Sequence, residues 1–251
     1  STLFPYTTLF RSRDNHLSVA LNEDKKIIVE KNEHDERNHS EHLDPLINEI
    51  LVNNNLKLKD IDRFAVAIGP GSYTGLRIGI TTVKMFASIL KKDVVGISTL
   101  KALAASCSDQ KSLIVAGNDA RNDNYFAGAY IIDSAGKLVN VIPDGHYHID
   151  TLLNAVHDYL EQSKYAKLIF IGSGFNKQEK LIKDLHVPFT YGTADQNVVH
   201  AGIIGKLALD EKAVDPDKLL PRYLRRTQAE VDWHKKTGKP FGPDSNYVEE
   251  V

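Results

Sequence analysis

Residues 64–90 read FAVAIGPGSYTGLRIGITTVKMFASIL, and the rest of the chain is organised around them. The apolar run Phe64 to Ile68 predicts a buried strand. Gly69, Pro70, Gly71 and Gly75 follow as a turn, and an amphipathic segment running to about Leu90 predicts a helix. A strand, a glycine turn and a helix place backbone N–H groups where an anion can sit, which makes nucleotide the first ligand to consider. The spacing meets neither phosphate fingerprint. Thr74 stands five residues beyond Gly69 and Leu76 five beyond Gly71, and no Lys-Ser or Lys-Thr pair follows as a P-loop requires. The dinucleotide pattern G-x-G-x-x-G has Thr74 in place of its third glycine. Gly69, Gly71 and Ser72 are therefore expected to make at most weak nucleotide contacts.

The helix behind the turn is more informative than the turn. On a helical projection Arg77, Thr81, Lys84, Ser88 and Lys91 form a narrow polar stripe. Leu76, Ile78, Ile80, Val83, Met85, Phe86, Ala87, Ile89 and Leu90 cover the remainder. That apolar circumference exceeds what packing on one sheet consumes, so the helix is expected to be covered twice, by its own domain and by another chain. Gly75 and Gly79 lie one turn apart, and each costs roughly 1 kcal/mol relative to alanine inside a helix. Such a pair is expected where a second backbone approaches closely. The alternative is a core helix buried wholly within one monomer.

A 251-residue chain with 42% hydrophobic residues supports one large domain or two small ones around a sizeable core. Its 31 basic and 33 acidic residues leave a net charge of −2, which gives no global reason to expect nucleic acid or an anionic membrane as the main partner. The single cysteine, Cys107, excludes an internal disulfide and a multi-cysteine metal site, and in LKALAASCS it reads as a small buried residue. Without a signal-peptide pattern or an apolar run of membrane-spanning length, a cytoplasmic location is expected, with no membrane partner.

In chain order, the opening STLFPYTTLFRS reads poorly as the start of an α/β domain, because Pro5 interrupts its only apolar run. Leu17 to Leu21 and Ile27 to Val29 predict a hairpin about NEDKK. Ser40 is placed to cap a helix whose apolar stripe is Leu43, Leu46, Ile47, Ile50 and Leu51, ending at Asn53 to Asn55. After the central helix, Val94 to Ile97 is a second strand of the same unit, with Ser98 or Thr99 capping the next helix. Past a composition shift at 106–111, strands are predicted at Leu113 to Ala116, Tyr125 to Ile132, Leu138 to Ile142 and Leu168 to Ile171. Helices are predicted at about Thr151 to Ser163 and Asn176 to Asp184. The second glycine turn, Gly172-Ser173-Gly174, lies between the last strand and the last helix.

Each half thus repeats antiparallel strands, a helix, a strand and a glycine turn. Two β-rich halves with glycine turns facing a shared cleft predict an α/β, actin-like ATPase (ASKHA, ribonuclease H-like) fold. The expected subdomains are residues 1–105 plus 200–225, then 106–199, with 226–251 as a tail. Gly172 and Gly174 join the expected weak nucleotide contacts.

Other motifs favour structure over chemistry. His34, His39 and His42 cluster, and His39 with His42 has a usable i, i+3 spacing, but no third ligand accompanies them and no bound metal is expected. Asp119 and Arg121 suit a carboxylate with a phosphate clamp, yet an Asp-Ala-Arg turn after a strand more often makes an ion pair or turn bond, the reading favoured. Arg222, Arg225 and Arg226 with Lys235, Lys236 and Lys239 suit RNA phosphates, but acidic neighbours and the lone pair Trp233-His234 favour a solvated extension.

Five segments carry a closer resemblance: IGPGSYTGLRIG at Ile68 to Gly79, DARNDNYFAG at Asp119 to Gly128, NHSEHL-x-P at Asn38 to Pro45, GSG at Gly172 to Gly174, and PRYLRRTQAE at Pro221 to Glu230. Together they resemble the bacterial TsaB family, also called YeaZ, over about residues 16 to 233. The resemblance implies a role in making threonylcarbamoyladenosine beside the anticodon of tRNAs that read codons beginning with A. It further implies a non-catalytic dimerisation and scaffold subunit. The paralogue TsaD would hold the metal and active site, TsaE would supply an ATPase, and tRNA would be met only through the complex.

No H-x-x-x-H occurs in the sequence, in keeping with a subunit that lacks its paralogue's metal pair. The resemblance places the partner surface on the helices beginning near Ser40 and Thr74. Here they carry Leu46, Ile50, Ile78 and Met85, with Thr74, Gly75, Gly79 and Thr82 alongside. Homodimers are implied when the partner is absent. No cofactor is expected on this subunit alone, with ATP or ADP at the joint interface as the remaining option.

One departure stands out: where the family has Asp-Thr-Ser after its first strand, this chain has Thr7, Thr8, Leu9, Phe10, Arg11 and Ser12. An altered edge of the first sheet is the expectation. An independent ATPase or phosphotransferase and a metalloprotease-like protein are the competing classes. The missing first-turn acid weighs against the former and the absent metal motif against the latter.

Overall fold

The computed structural model describes residues 2–9, 16–33, 39–225 and 228–238. The first sheet begins with β1 (Thr2–Leu9), β2 (His16–Glu23) and β3 (Lys26–Glu33), followed by helix α1 (His39–Asn53). Next come β4 (Arg63–Gly69), the long helix α2 (Tyr73–Leu90), β5 (Asp93–Ser98) and the short helix α3 (Thr99–Ala104). The second sheet repeats the plan with β6 (Leu113–Asp119), β7 (Asn124–Ile132), β8 (Leu138–His148), α4 (Ile149–Glu161) and β9 (Leu168–Gly172). A 3-10 turn at Phe175–Gln178, α5 (Glu179–Lys183), β10 (Phe189–Tyr191), α6 (Ala201–Leu209) and α7 (Gln228–Thr237) complete it.

The strand orders are β3-β2-β1-β4-β5 and β10-β9-β6-β7-β8, which are the same order once β6 to β10 are matched to β1 to β5. The senses match too. β1–β2, β2–β3, β6–β7 and β7–β8 are antiparallel, whereas β1–β4, β4–β5, β6–β9 and β9–β10 are parallel. The repeat expected from element order is therefore a repeat of topology, and the fold is the actin-like α/β architecture.

Alternation along the strands sets three cores. Leu17, Val19, Leu21, Phe64 and Val66 face α1 and α2, where they meet Leu43, Leu46, Ile50, Leu76, Ile80 and Val83. The opposite face is built from small residues. Ala65 and Ala67 meet Leu100, Leu103 and Ala104 of α3, and the same cluster continues into Ile114, Ala116 and Tyr130 of the second sheet and Ile204 and Ala208 of α6. One apolar core thus joins the two sheets through α3. The far face of the second sheet packs Tyr125, Phe170 and Phe175 against Leu152 and Val156 of α4 and Ile182 of α5.

The opening segment corrects one expectation. Thr2–Leu9 is the central strand of the first sheet, antiparallel to β2 and parallel to β4. Pro5 is accommodated because pairing with β2 runs from Thr2↔Glu23 to Leu3↔Asn22 and resumes at Tyr6↔Val19, so no register partner on β2 is required of a residue that has no N–H. Thr, Tyr and Phe suit extended backbone, and β2 and β4 each offer this segment a ladder on either side, which outweighs one proline. Phe10, Arg11, Ser12 and Asp14 lie outside the described residues.

β8 also exceeds its predicted end at Ile142. It carries Pro143-Asp144-Gly145 inside the strand, where irregular register against Ala127 to Tyr130 absorbs them. The tail is a helix over Gln228–Thr237, with Trp233, Lys235 and Lys236 exposed. Arg226 and Lys239, weighed as RNA-phosphate contacts against the favoured solvated extension, lie outside the described residues.

Candidate functional site

α2 begins where the sequence places it. Ser72 is its N-cap, and the hydroxyl oxygen accepts the Gly75 N–H at 3.3 Å. Its C-terminus closes at Lys91 in the left-handed conformation, φ 57°. Gly75, Leu76, Gly79, Ile80, Val83 and Ala87 are buried, against the strands of the first sheet. Arg77 and Lys84 of the predicted polar stripe hold the C-terminal segment 217–223. Lys84 Nζ donates to the carbonyls of Asp217 (3.2 Å) and Leu219 (3.1 Å). Arg77 Nε donates to Tyr223 Oη at 3.2 Å, and the Arg77 guanidinium lies 4.1 Å from the Tyr73 ring centroid. Tyr73 in turn stacks on Tyr223 at 5.3 Å.

Sheet and strap leave one longitudinal face of α2 uncovered. Along it run Thr74, Ile78, Thr81, Thr82, Met85, Ser88 and Ile89, exposed or half-buried, without one charged residue; Met85 is 50% and Ile89 71% exposed. Beside them a cavity of about 360 Å³ opens between α1, the loop after it and Phe86 of α2, lined by Ile47, Leu51, Val52, Leu56, Leu58 and Phe86 together with Asp44, Asn48 and Lys57. Val52, 62% exposed, stands at its rim.

The expected partner positions divide accordingly. Thr74, Ile78, Thr82 and Met85 share the open face. Leu46, Ile50, Gly75 and Gly79 belong to the chain's own interior, so an outward role for them is corrected. The stripe Leu43, Leu46, Ile47, Ile50 and Leu51 is the side of α1 that meets the first sheet, and the two glycines lie under α2. Phe86 and Ile89 belong to the apolar circumference of α2 that the sequence shows. Continuing the three- and four-residue spacing from Ile78 and Met85 reaches Ile89, whereas nothing in the pattern of α1 singles out Val52.

At Gly69, Gly172 and Gly174, three of the expected nucleotide contacts, the direction a Cβ would take is filled by the chain itself, while the backbone of Gly172 and Gly174 stays partly exposed. A side chain at Gly69 (φ +120°) would meet the Arg222 carbonyl oxygen at 2.5 Å, and the Arg222 N–H donates to the Ile68 carbonyl at 2.7 Å. Gly172 (φ +112°), its topological counterpart, would place a Cβ 1.9 Å from the Gly117 carbonyl oxygen. Gly174 lies against Asp119 in the same way, and the Ser72 hydroxyl is taken up by its cap. Gly71 is exposed, Gly172 and Gly174 are half-buried, and Gly69 and Ser72 are buried.

Asp119 accepts from the Arg121 N–H at 2.8 Å and from Lys177 Nζ at 2.5 Å. Burial pushes its carboxyl up, but these donors outweigh burial and hold it below the ordinary range. This is a turn bond with an ion pair, at a turn where Arg121, Asn122 and Asp123 all have positive φ.

Of the histidine cluster, only the side chain of His42 lies within the described residues, and its Nδ1 is 3.0 Å from Glu33 Oε2. The side chains of His34 and His39 lie outside them. Among the described residues no group of three or more His, Cys, Asp or Glu side chains is arranged to hold a metal, and no helix is long and apolar enough to cross a membrane.

Asp144 is the polar residue that sequence reading passed over. It is 3% exposed, and its Oδ2 accepts from Ser98 Oγ at 2.5 Å and from Arg222 Nη1 at 3.0 Å, while Tyr130 Oη donates to Oδ1. Gly128 makes the room, since a Cβ there would lie 2.3 Å from Asp144 Oδ1. Burial, then the neighbouring Asp144 carboxylate, pushes the Tyr130 hydroxyl far up, so it stays a donor.

Two matched sheets joined through a buried helix make the chain a member of the actin-like class. Comparison with known proteins narrows the class. The family model for TsaD, tRNA N6-adenosine threonylcarbamoyltransferase, matches residues 27–233. The tRNA threonylcarbamoyladenosine biosynthesis protein TsaB of Bacillus subtilis (strain 168) is 31% identical over 86% of this chain and 93% of its own length. The tRNA N6-adenosine threonylcarbamoyltransferase of Rhizobium etli is 27% identical over 73% of this chain but only 43% of its own length. Among solved structures, YeaZ from Pseudomonas aeruginosa superposes with a TM-score of 0.69 at 23% identity, over 89% of this chain and all of that one. The chain belongs to the TsaB family of tRNA threonylcarbamoyladenosine biosynthesis.

Proposed function

We propose that this chain is the non-catalytic subunit that binds and activates a TsaD-type transferase, and that the transferase seats on the uncharged face of α2. One observation carries the reading: Ile78, Met85 and Ile89 stand exposed or half-buried in a stripe without charges, beside the groove at Val52 and Phe86. Charge depletion with apolar and methionine side chains is the composition of an interface core rather than of a solvated helix. A transferase matched by the same family model would carry the topologically equivalent helix, so the contact would pair like with like. A second copy of this chain meets the same condition, and a homodimer would therefore compete with the heterodimer.

A TsaE-type ATPase completes the proposed complex, with tRNA held by the assembly. ATP or ADP, if present, would sit at the joint surface. Reconstitution tests the reading. Transferase, ATPase, threonylcarbamoyl donor and an unmodified tRNA reading codons beginning with A are combined with and without this chain, and threonylcarbamoyladenosine is measured by nucleoside mass spectrometry. Product is expected only when the chain is present. Equal product without it would overturn the proposal.

A further inference from the structure

We propose that Asp144 and Arg222 are positioning residues for the partner face of α2, acting through the strap 217–223; this rests on the reading of that face given above. The chain of contacts is continuous. Asp144 is buried in β8 of the second sheet and is held by Ser98 at the end of β5 and by Tyr130 of β7. Its Oδ2 fixes the guanidinium of Arg222 at 3.0 Å, and the backbone of Arg222 is tied to β4 through its N–H on the Ile68 carbonyl. From that anchor the strap lies along the charged flank of α2. Tyr223 stacks on Tyr73 and accepts from Arg77, and the carbonyls of Leu219 and Asp217 accept from Lys84, two turns further along the same flank. Further back, the Val214 N–H donates to the Val94 carbonyl at 2.9 Å, pinning the strap's start to β5.

A helix held on one side by a sheet retains freedom to roll about its axis, and a brace along its flank removes that freedom. The strap is that brace, and its anchor lies in the other sheet. The side chains of Asp144 and Arg222 are 4% and 24% exposed, so the anchor is a shielded ion pair with further hydrogen bonds, the kind whose rupture leaves an uncompensated buried charge. The Arg222 carbonyl oxygen of the strap lies 2.5 Å from where a Cβ at Gly69 would stand, so the strap and the positive φ together require glycine there. The charged stripe of α2 thus receives the strap, and the uncharged stripe remains for the partner.

The test uses the full chain with the TsaD-type transferase of the same organism. Asp144→Asn and Arg222→Met break the anchor. Lys84→Met breaks the strap's hold at a half-buried surface site and serves if the first two variants fail to fold. Val156→Ala, in the core behind the second sheet, is the control for loss of stability alone. Amide hydrogen exchange is read over 73–84 and 214–224 in the free chain, and transferase affinity is read by titration calorimetry. In the anchor and strap variants exchange is expected to accelerate in both segments, with affinity falling about tenfold, while Val156→Ala leaves affinity within about twofold. Unchanged exchange, faster exchange with unchanged affinity, or an affinity loss that Val156→Ala reproduces would each overturn the positioning role. Failure of the unsubstituted chain to bind the transferase would instead defeat the functional reading, and the positioning role with it.

Discussion

His200→Gln should cost stability in a strongly pH-dependent way, and the structure fixes both the size and the sign. His200 precedes α6, with its Nδ1 2.7 Å from Glu30 Oε1 on β3 and its Nε2 3.1 Å from the Asp195 carbonyl oxygen and 3.3 Å from Asp195 Oδ1. The same Glu30 carboxylate accepts the Gly202 N–H at 2.9 Å, Ser18 Oγ accepts the Ala201 N–H, and His16 meets the His200 ring edge-on. The hydrogen bond to Glu30 outweighs the desolvation of the ring and raises the imidazole from 6.5 to about 9. Burial alone would push Glu30 up, but His200 and the Gly202 N–H hold it below its ordinary value.

At about 1.4 kcal/mol per pKa unit, the rise at His200 corresponds to about 3 kcal/mol, and the group is only 19% exposed, so little of it is screened. Because the folded pKa is the higher one, this contribution is complete below about pH 6.5 and is lost as the pH rises through 9. Glu30, whose folded pKa is lowered, contributes above its ordinary value of 4.5 and loses that contribution as the pH falls below it. Urea unfolding of the parent and His200→Gln at pH 6 and pH 9.5 isolates the pair, since other titrations cancel in the difference. The stability gap should shrink by about 3 kcal/mol between the two pH values. A gap that does not change with pH would refute the assigned ion pair.

Three further outcomes follow from the geometry. Gly172→Ala should cost at least about 3 kcal/mol or prevent folding, because its Cβ would strike the Gly117 carbonyl oxygen at 1.9 Å, whereas Gly136→Ala, with positive φ and nothing within 4 Å, should cost about 1 kcal/mol; denaturant midpoints of the two compare them. Tyr130→Phe removes one donor from buried Asp144 while Ser98 and Arg222 remain, so a loss of about 1–2 kcal/mol is expected by the same measurement. Lys177→Met breaks an ion pair whose lysine is largely exposed, and a change in melting temperature beyond what about 1 kcal/mol produces would show that Asp119 depends on it more than the structure indicates.

Much of this architecture was readable because local pattern and tertiary context agree. β2, the unit β4–α2–β5 and the Ser98 cap fall within a residue or two of their predicted places, and β3 starts one residue early but runs four residues past Val29. β1 was missed because Pro5 speaks against a strand locally, while pairing on both sides of it speaks for one. Pro143-Asp144-Gly145 has the composition of a surface turn, and only the space beside Gly128 and the donors from Ser98, Tyr130 and Arg222, distant in sequence, make Asp144 an interior carboxylate.

For the candidate site, periodicity singled out the helix but not the allocation of its faces. Gly75 and Gly79 signal close approach without saying whose backbone approaches, and the strap on Arg77 and Lys84 comes from more than a hundred residues downstream. The face left over was legible only by subtraction, once sheet and strap had been placed.

The central claim is that the uncharged face of α2 holds the transferase, and affinity measured directly is its sharpest test. Ile78→Glu combined with Met85→Glu puts two charges on that face at positions that are half-buried and exposed in the free chain, so folding should survive. Titrated against the TsaD-type transferase, the doubly substituted chain should lose at least about a hundredfold in affinity, as expected when charge is forced into an apolar interface core. An affinity within about twofold of the parent would contradict the account.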